Sequence, residues 1–231
     1  MLSVIVYNIH YGEKIEKLKE WFIGKKSEFD IICFQEFPLA YIDTFLSDIK
    51  GDVFGYRYSH GFTKKGNKYG QVTLWNTKKI QILDDTVLTL GSSILERSGR
   101  RGERSALITQ FRYNKKKFFM VNAHLVCFAL NQKRILQLEK IITHLKKVST
   151  EETPLIIVGD LNYSSLIRQQ RLLDFMDQYG FSNAYKTHTF KIFFLHYQLD
   201  YVFYKNSKVM DVQIPRLNYS DHYPAQFVLE V

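Results

Sequence analysis

At 231 residues the chain exceeds one small module and falls short of two full domains, and its 45% hydrophobic and 24% charged residues exclude disorder and collagen-like repeats. Lys and Arg outnumber Asp and Glu by 32 to 23, and the net charge of +9 suits a polyanionic partner (nucleic acid or an anionic lipid surface) as well as a merely soluble basic protein. No run reaches the roughly 18 apolar residues of a transmembrane segment, the start MLSVIVYNIHYG has no basic leader or small-residue cleavage site, and Cys33 and Cys127 lie in apolar runs as buried thiols, so a cytoplasmic location is expected.

Residues 2–9 form a β-branched apolar run of strand length, and Ile15, Leu18, Trp21 and Phe22 then recur at helical spacing. Asp30 leads into IICF, a continuous apolar strand buried on both faces, and Pro38 opens a helix that runs to about Ile49. GYRYSHGF, YGQVTLWN, IQILDDTVLTL, RSALITQFRY and KKFFMVNAHLVCF read as successive strands parted by Gly, Asn and Lys clusters. Across 130–148 a helix sets Ile135, Leu138, Ile141, Ile142, Leu145 and Val148 on one face, with Lys133, Arg134, Gln137 and Lys140 opposite. LIIVG after Pro154 is another buried strand, a helix carries Leu172, Leu173, Phe175 and Met176, and the remainder, from THTFKIFFLHYQLDYVFY to HYPAQFVLEV, is strand-rich.

No linker, repeat or low-complexity tract divides the sequence, so a single domain over 1–231 is expected. The strands are too many for one compact sheet, and two packed sheets with helices outside is the economical α/β arrangement. Neither G-x-G-x-x-G after a strand nor the phosphate-loop motif is present, and the hairpin-dense centre breaks the rhythm of a (β/α)8 barrel.

The informative pattern is polar residues at the ends of apolar strands: VYNIH, IICFQEF, NAHL, LIIVGDLN, QLDYVFY and SDHYP. Each alone has a plain structural explanation: a turn cap at Asn8, a strand-end carboxylate at Glu36, a helix N-cap at Asp160, satisfied core histidines at His124, His188 and His196. Six desolvated endings of this kind would be costly unless they share partners or a cation, which points to one polar site at a common sheet edge.

Asn8 in YNIHYG, Gln35-Glu36, His124, Gly159-Asp160-Leu161-Asn162, Leu199-Asp200-Tyr201 and Ser220-Asp221-His222 stand in the order of the endonuclease/exonuclease/phosphatase superfamily, which the chain resembles from Asn8 to His222. The resemblance implies a four-layered α/β sandwich, two packed mixed β-sheets flanked by helices, and divalent-metal phosphoester hydrolysis with Mg2+, or Mn2+ in its place. It implies that Glu36 is the first metal ligand, with Asn8 beside it and Asp221 on the metal side. It also implies that Asp160 orients or deprotonates the attacking water, Asn162 and His222 contact the phosphate, and Asp200 fixes the tautomer of His222. Asp160 and Asn162 would face the same way on an extended segment. His124 would pair with Glu103 of the Glu103-Arg104 dipeptide. His10 departs from the aspartate or arginine that family branches place there, and leaves room for a phosphate contact.

Arg97, Arg100, Arg101 and Arg104 form the densest basic cluster, and Arg100, Arg101 and Arg104 are candidate substrate-phosphate contacts, against the plainer view of solvated loop tips. The leading expectation is a nuclease acting on DNA or RNA. The alternatives are a phosphatase or phosphodiesterase for an inositol phosphate or phospholipid headgroup, and an inactive nucleic-acid-binding module. A membrane-active enzyme would need an exposed apolar hairpin, and no segment of the sequence declares itself as one.

Overall fold

The computed structural model describes residues 1–50, 53–92, 101–127 and 129–231, the side chains of 49–50 and 101–102 excepted. The first half runs β1 (Leu2–Asn8), α1 (Ile15–Lys25), β2 (Ile31–Pro38), α2 (Ile42–Lys50), β3 (Phe54–Lys64), β4 (Asn67–Asn76), β5 (Gln81–Gly91), β6 (Arg101–Gly102), β7 (Arg104–Tyr113) and β8 (Lys116–His124). The second runs α3 (Asn131–Val148), β9 (Leu155–Asp160), α4 (Leu166–Asp177), β10 (Ser182–Asn183), β11 (Phe190–Ile192), β12 (Leu195–Tyr197), β13 (Asp200–Lys205), β14 (Lys208–Gln213) and β15 (Ala225–Glu230).

The strands form a seven-stranded sheet in the order β14-β15-β1-β2-β4-β3-β6, a six-stranded sheet in the order β10-β13-β9-β8-β7-β5, and a separate hairpin of β11 and β12. Both large sheets are mixed, because β1 pairs with β2 and β8 with β9 in parallel while the other pairings are antiparallel. Alternation along each strand sorts the apolar residues into three layers of core. Val4 and Val6 of β1 meet Ile156 and Val158 of β9 between the sheets. Ile5 and Tyr7 point the other way, onto Leu18 and Phe22 of α1 and Phe45 of α2. Ile157 of β9 and Val121 of β8 pack on Leu138 and Ile142 of α3 and Leu172 of α4. The layering is therefore helices, sheet, sheet, helices.

Polar side chains also cross the seam between the sheets. Asn122 of β8 donates through Nδ2 to the carbonyls of Phe34 (3.1 Å) and Val72 (3.0 Å), and its Oδ1 accepts from Gln35 Nε2 (2.7 Å). Both residues are fully buried, so this contact fixes how one sheet sits on the other.

Helix α3 departs from the expected pattern: Arg134 and Gln137, placed on its polar face, are buried, and Val148 is exposed. The chain leaving β8 passes beneath this helix and has backbone groups to satisfy. Val126 N–H donates to Gln137 Oε1 (3.0 Å), and the Val126 carbonyl accepts from Arg134 Nε (2.8 Å).

Candidate active site

Strands β1, β2, β8 and β9 end at the same edge of the sandwich, and β13 begins there. In the ladders Asn8 lies opposite Gln35, His124 opposite Asp160, and Asp160 opposite Asp200. Gly159 makes this close register possible. Its φ is +127°, and a Cβ there would stand 2.0 Å from the Ala123 carbonyl oxygen, so only glycine lets β9 lie against β8. Glu36 is aimed inward by a bulge in the β2–β4 pairing between Phe34 and Phe37, where its φ of +56° is unusual for a residue with a side chain.

Asn8, His10, Glu36, His124, Asp160, Asn162, Asp221 and His222 line one cavity of about 220 Å3. Asp160 is at its centre. Its Oδ2 accepts from Asn8 Nδ2 (3.0 Å), and lies 3.5 Å from His124 Nε2 and 3.9 Å from His222 Nε2. Burial pushes the Asp160 carboxyl up to about 7, aided by the charges of Asp200 and Glu36 and opposed by His222. Asp200 stands behind the cavity with Oδ2 2.7 Å from His222 Nδ1. Burial alone would lower the His222 imidazole, but the Asp200 carboxylate, by charge and hydrogen bond together, raises it to about 10. The Ser220–His222 loop is pinned by Ser220 Oγ, which donates to the Asn8 carbonyl (2.8 Å) and accepts from His222 N–H (3.1 Å).

Several placements differ from the sequence expectation. Glu103 precedes β7 and is exposed, so it does not pair with His124. Arg104 takes that place: it is 2% exposed, its Nη1 is 2.9 Å from both His124 ring nitrogens, and its guanidinium lies 4.7 Å over the Phe62 ring. A guanidinium so enclosed backs the site from within and does not reach out to substrate. Arg100 lies outside the described residues. Arg101 is placed only by its backbone, which pairs with Thr63 beside the basic β3–β4 hairpin. Asn162 is not on an extended segment. Its φ is +58°, its N–H donates to Asp160 Oδ1 (3.0 Å), and its Nδ2 donates to the Leu125 carbonyl (3.1 Å). His10 Nδ1 is 2.9 Å from Asp221 Oδ2, a pairing that raises the imidazole. Burial works to raise Asp221, and the hydrogen bond from His10 with the nearby imidazole charge outweighs it, leaving the carboxyl lowered. His188 and His196 are exposed and not core residues.

Tyr11, Cys127, Phe190 and Leu199, which the sequence did not mark as site residues, complete the cavity wall. Phe190 packs edge-on against the His222 ring, with centroids 4.8 Å apart, and Tyr11 holds Lys64 Nζ 3.5 Å over its ring. Tyr11 and Gly12 both have positive φ, and the Y-G pair after the N-I-H run was the available signal for a sharp turn there.

The donor chemistry suits a hard divalent cation. Glu36, Asp160 and Asp221 bring three carboxylates to one small cavity, negative charge that a cation would offset. Among the described residues no three His, Cys, Asp or Glu side chains close a metal cage. An ion held by one or two carboxylates and its own waters needs none.

The family model described as the endonuclease/exonuclease/phosphatase family matches residues 5–222. The chain belongs to that family. Endonuclease/exonuclease/phosphatase proteins hydrolyse phosphodiester or phosphoester bonds and generally use divalent metal ions. Similar solved structures include the family protein of Bacteroides vulgatus (TM-score 0.79, 19% identity, 100% of this chain and 98% of that one). D. rerio TDP2 complexed with single-strand DNA product has a TM-score of 0.74 at 15% identity, covering 100% and 99%. The Bacteroides thetaiotaomicron mannosyl-6-phosphatase has a TM-score of 0.72 at 17% identity, covering both chains completely. Comparison with curated protein sequences finds no match. At these identities the family's fold carries over, and its individual substrates do not.

Proposed function

We propose that the chain, as a single domain of 231 residues, is a Mg2+-dependent phosphodiester hydrolase that cleaves nucleic acid by in-line attack of an activated water. The observation carrying this reading is the geometry around Asp160: a buried carboxylate held by Asn8 from one sheet and flanked by His124 and His222. A carboxylate fixed in this way is placed to orient the attacking water and take its proton. His222, kept cationic by Asp200, directs Nε2 toward the cavity and donates to a phosphate oxygen as charge develops. Asn8 positions the base, and Asn162 holds the turn after it to the Leu125 carbonyl. Glu36, with Asn8 and Asp221 beside it, would hold Mg2+, or Mn2+ in its place. When bound, the ion neutralises non-bridging phosphate oxygens.

The substrate reading rests on the charge around the cavity. Lys64 of the β3–β4 hairpin stands over Tyr11 in the cavity wall, Lys65 and Lys68 follow it in the same hairpin, and the chain carries +9 overall. A second reading, hydrolysis of a phospholipid headgroup, is favoured by one observation, the exposed apolar hairpin next to His222. The deciding assay is hydrolysis of supercoiled plasmid, single-stranded DNA, RNA and phosphoinositide vesicles with Mg2+ or Mn2+, with and without chelator. Metal-dependent cleavage of nucleic acid that falls by orders of magnitude in Asp160→Asn and His222→Ala, with folding intact, is the expected result. Release from phosphoinositide alone would replace the nuclease reading with the lipid one. Full activity in His222→Ala would remove that residue from the site.

A further inference from the structure

The strand-rich segment FKIFFLHY folds into the β11–β12 hairpin, which stands outside both sheets. Phe193 and Phe194 at its tip are 85% and 84% exposed, and Ile192 and Leu195 beside them are also exposed. The base of the hairpin is not loose. Thr189 Oγ1 accepts from the N–H groups of Leu199 (3.1 Å) and Asp200 (3.0 Å), Lys191 N–H donates to the Asp221 carbonyl (2.9 Å), and Phe190 packs on His222. Bulky apolar side chains held in water by an anchored scaffold lose free energy unless a partner covers them.

A second apolar tip stands across a cavity of about 770 Å3, one wall of which is Ser164–Leu166 and the other His196–Gln198. There, at the start of α4, Leu166 and Ile167 are 84% and 71% exposed. The two tips share a charge pattern: Arg168, Arg171, Lys186 and Lys191 are all exposed, and neither 161–173 nor 178–199 contains an Asp or Glu.

We propose that the two tips together form a docking surface for an anionic lipid bilayer. Phe193, Phe194, Leu166 and Ile167 enter the boundary between headgroups and acyl chains, and the four cations meet anionic headgroups. Aliphatic side chains decide against a base-stacking platform, since Ile192, Leu195, Leu166 and Ile167 present no ring face to a base, whereas a bilayer accepts rings and aliphatics alike. Because Phe190 belongs to both the hairpin and the wall of the catalytic cavity, docking would set that cavity at the membrane surface. Docking needs no hydrolysis, so it stands or falls separately from the nuclease reading.

The test is flotation of the intact chain with vesicles of phosphatidylcholine alone or mixed with phosphatidylglycerol, alongside binding to a single-stranded oligonucleotide. Salt-sensitive partition onto the anionic vesicles is expected, falling on the order of tenfold or more in the double variant Phe193→Ser/Phe194→Ser while its melting temperature and its hydrolysis of a soluble phosphodiester stay unchanged. A single Phe194→Trp variant, which keeps the tip apolar, should shift its emission to the blue when anionic vesicles are added. Absence of partition, partition equal in the double variant, or tryptophan emission that responds to the oligonucleotide and not to vesicles would each overturn the proposal.

Discussion

Replacing Gly159 with alanine tests whether the close approach of β9 to β8 builds the site. The added Cβ would lie 2.0 Å from the Ala123 carbonyl oxygen and 3.1 Å from its carbon, both backbone atoms that cannot rotate aside. Alanine must also adopt φ +127°, a conformation costing about 1–3 kcal/mol. Ala123 and Val158 are completely buried, so the sheet can yield only by overpacking its neighbours, a further ~1–3 kcal/mol. The sum, about 2–6 kcal/mol, corresponds to a fall of roughly 4–24 °C in Tm for a chain of this size. Because His124 and Asp160 are the next pair in the same ladder, hydrolysis should fall with it. Gly24→Ala is the internal control: this exposed glycine near the end of α1 has nothing within 4 Å of where the new methyl group would stand, and alanine there should stabilise by about 0.5–1 kcal/mol. Thermal and urea unfolding followed by circular dichroism measure both. If Gly159→Ala melts within about 2 °C of the parent and keeps its activity, the register does not depend on that glycine and the reasoning fails.

Asn122→Ala should cost about 2–4 kcal/mol in urea unfolding, because it strands the buried Gln35 amide together with the Phe34 and Val72 carbonyls. The double change Asn122→Leu/Gln35→Leu should cost less than the two single changes added together, and strict additivity would show that the two amides do not act as a pair. Burial pushes the Cys33 thiol up to about 12, so in the native protein near pH 8 it stays a thiol, and iodoacetamide should modify Cys127 alone until the chain is unfolded. Labelling of Cys33 at the rate of Cys127, read by peptide mass, would mean that the space between the sheets opens far more readily than its packing implies.

The sandwich was legible because its strands alternate. Val4 and Val6 against Ile5 and Tyr7, or Ile156 and Val158 against Ile157, assign each side chain to a layer before any contact is known. Asn8, Glu36, Asp160 and His222 were legible for a related reason: polar groups at the ends of apolar runs must find common partners. Long-range choices among chemically similar neighbours were not legible. Glu103 and Arg104 are adjacent, and whichever side chain enters the core depends on where β7 begins, which no local pattern states. Arg134 and Gln137 read as a solvent face because their partners are backbone groups: Val126 and Cys127 from the preceding loop, and for Gln137 also the Leu90 and Gly91 carbonyls at the end of β5, some 46–47 residues away. FKIFFLHY has the composition of a core strand, and its exposure is set by where Thr189 and Asp221 anchor it.

The two histidines on Asp160 are not equivalent, and the difference lies in what stands behind each. His222 is backed by the Asp200 carboxylate, which favours the cation and leaves its Nε2 with a proton to give. His124 is backed by Arg104. A guanidinium has only donors, and standing 2.9 Å from both ring nitrogens its charge opposes a second cation on the ring, while Nε2 also lies 3.7 Å from Glu36 and 3.5 Å from Asp160. Two carboxylate-backed imidazoles would place two cations around one carboxylate and suppress its basicity. One carboxylate-backed and one guanidinium-backed imidazole instead give a charged donor on one side of Asp160 and a ring backed by Arg104 on the other. In that arrangement only one carboxylate-stabilised imidazolium stands against Asp160, and the cationic side of the cavity stays aimed at the phosphate.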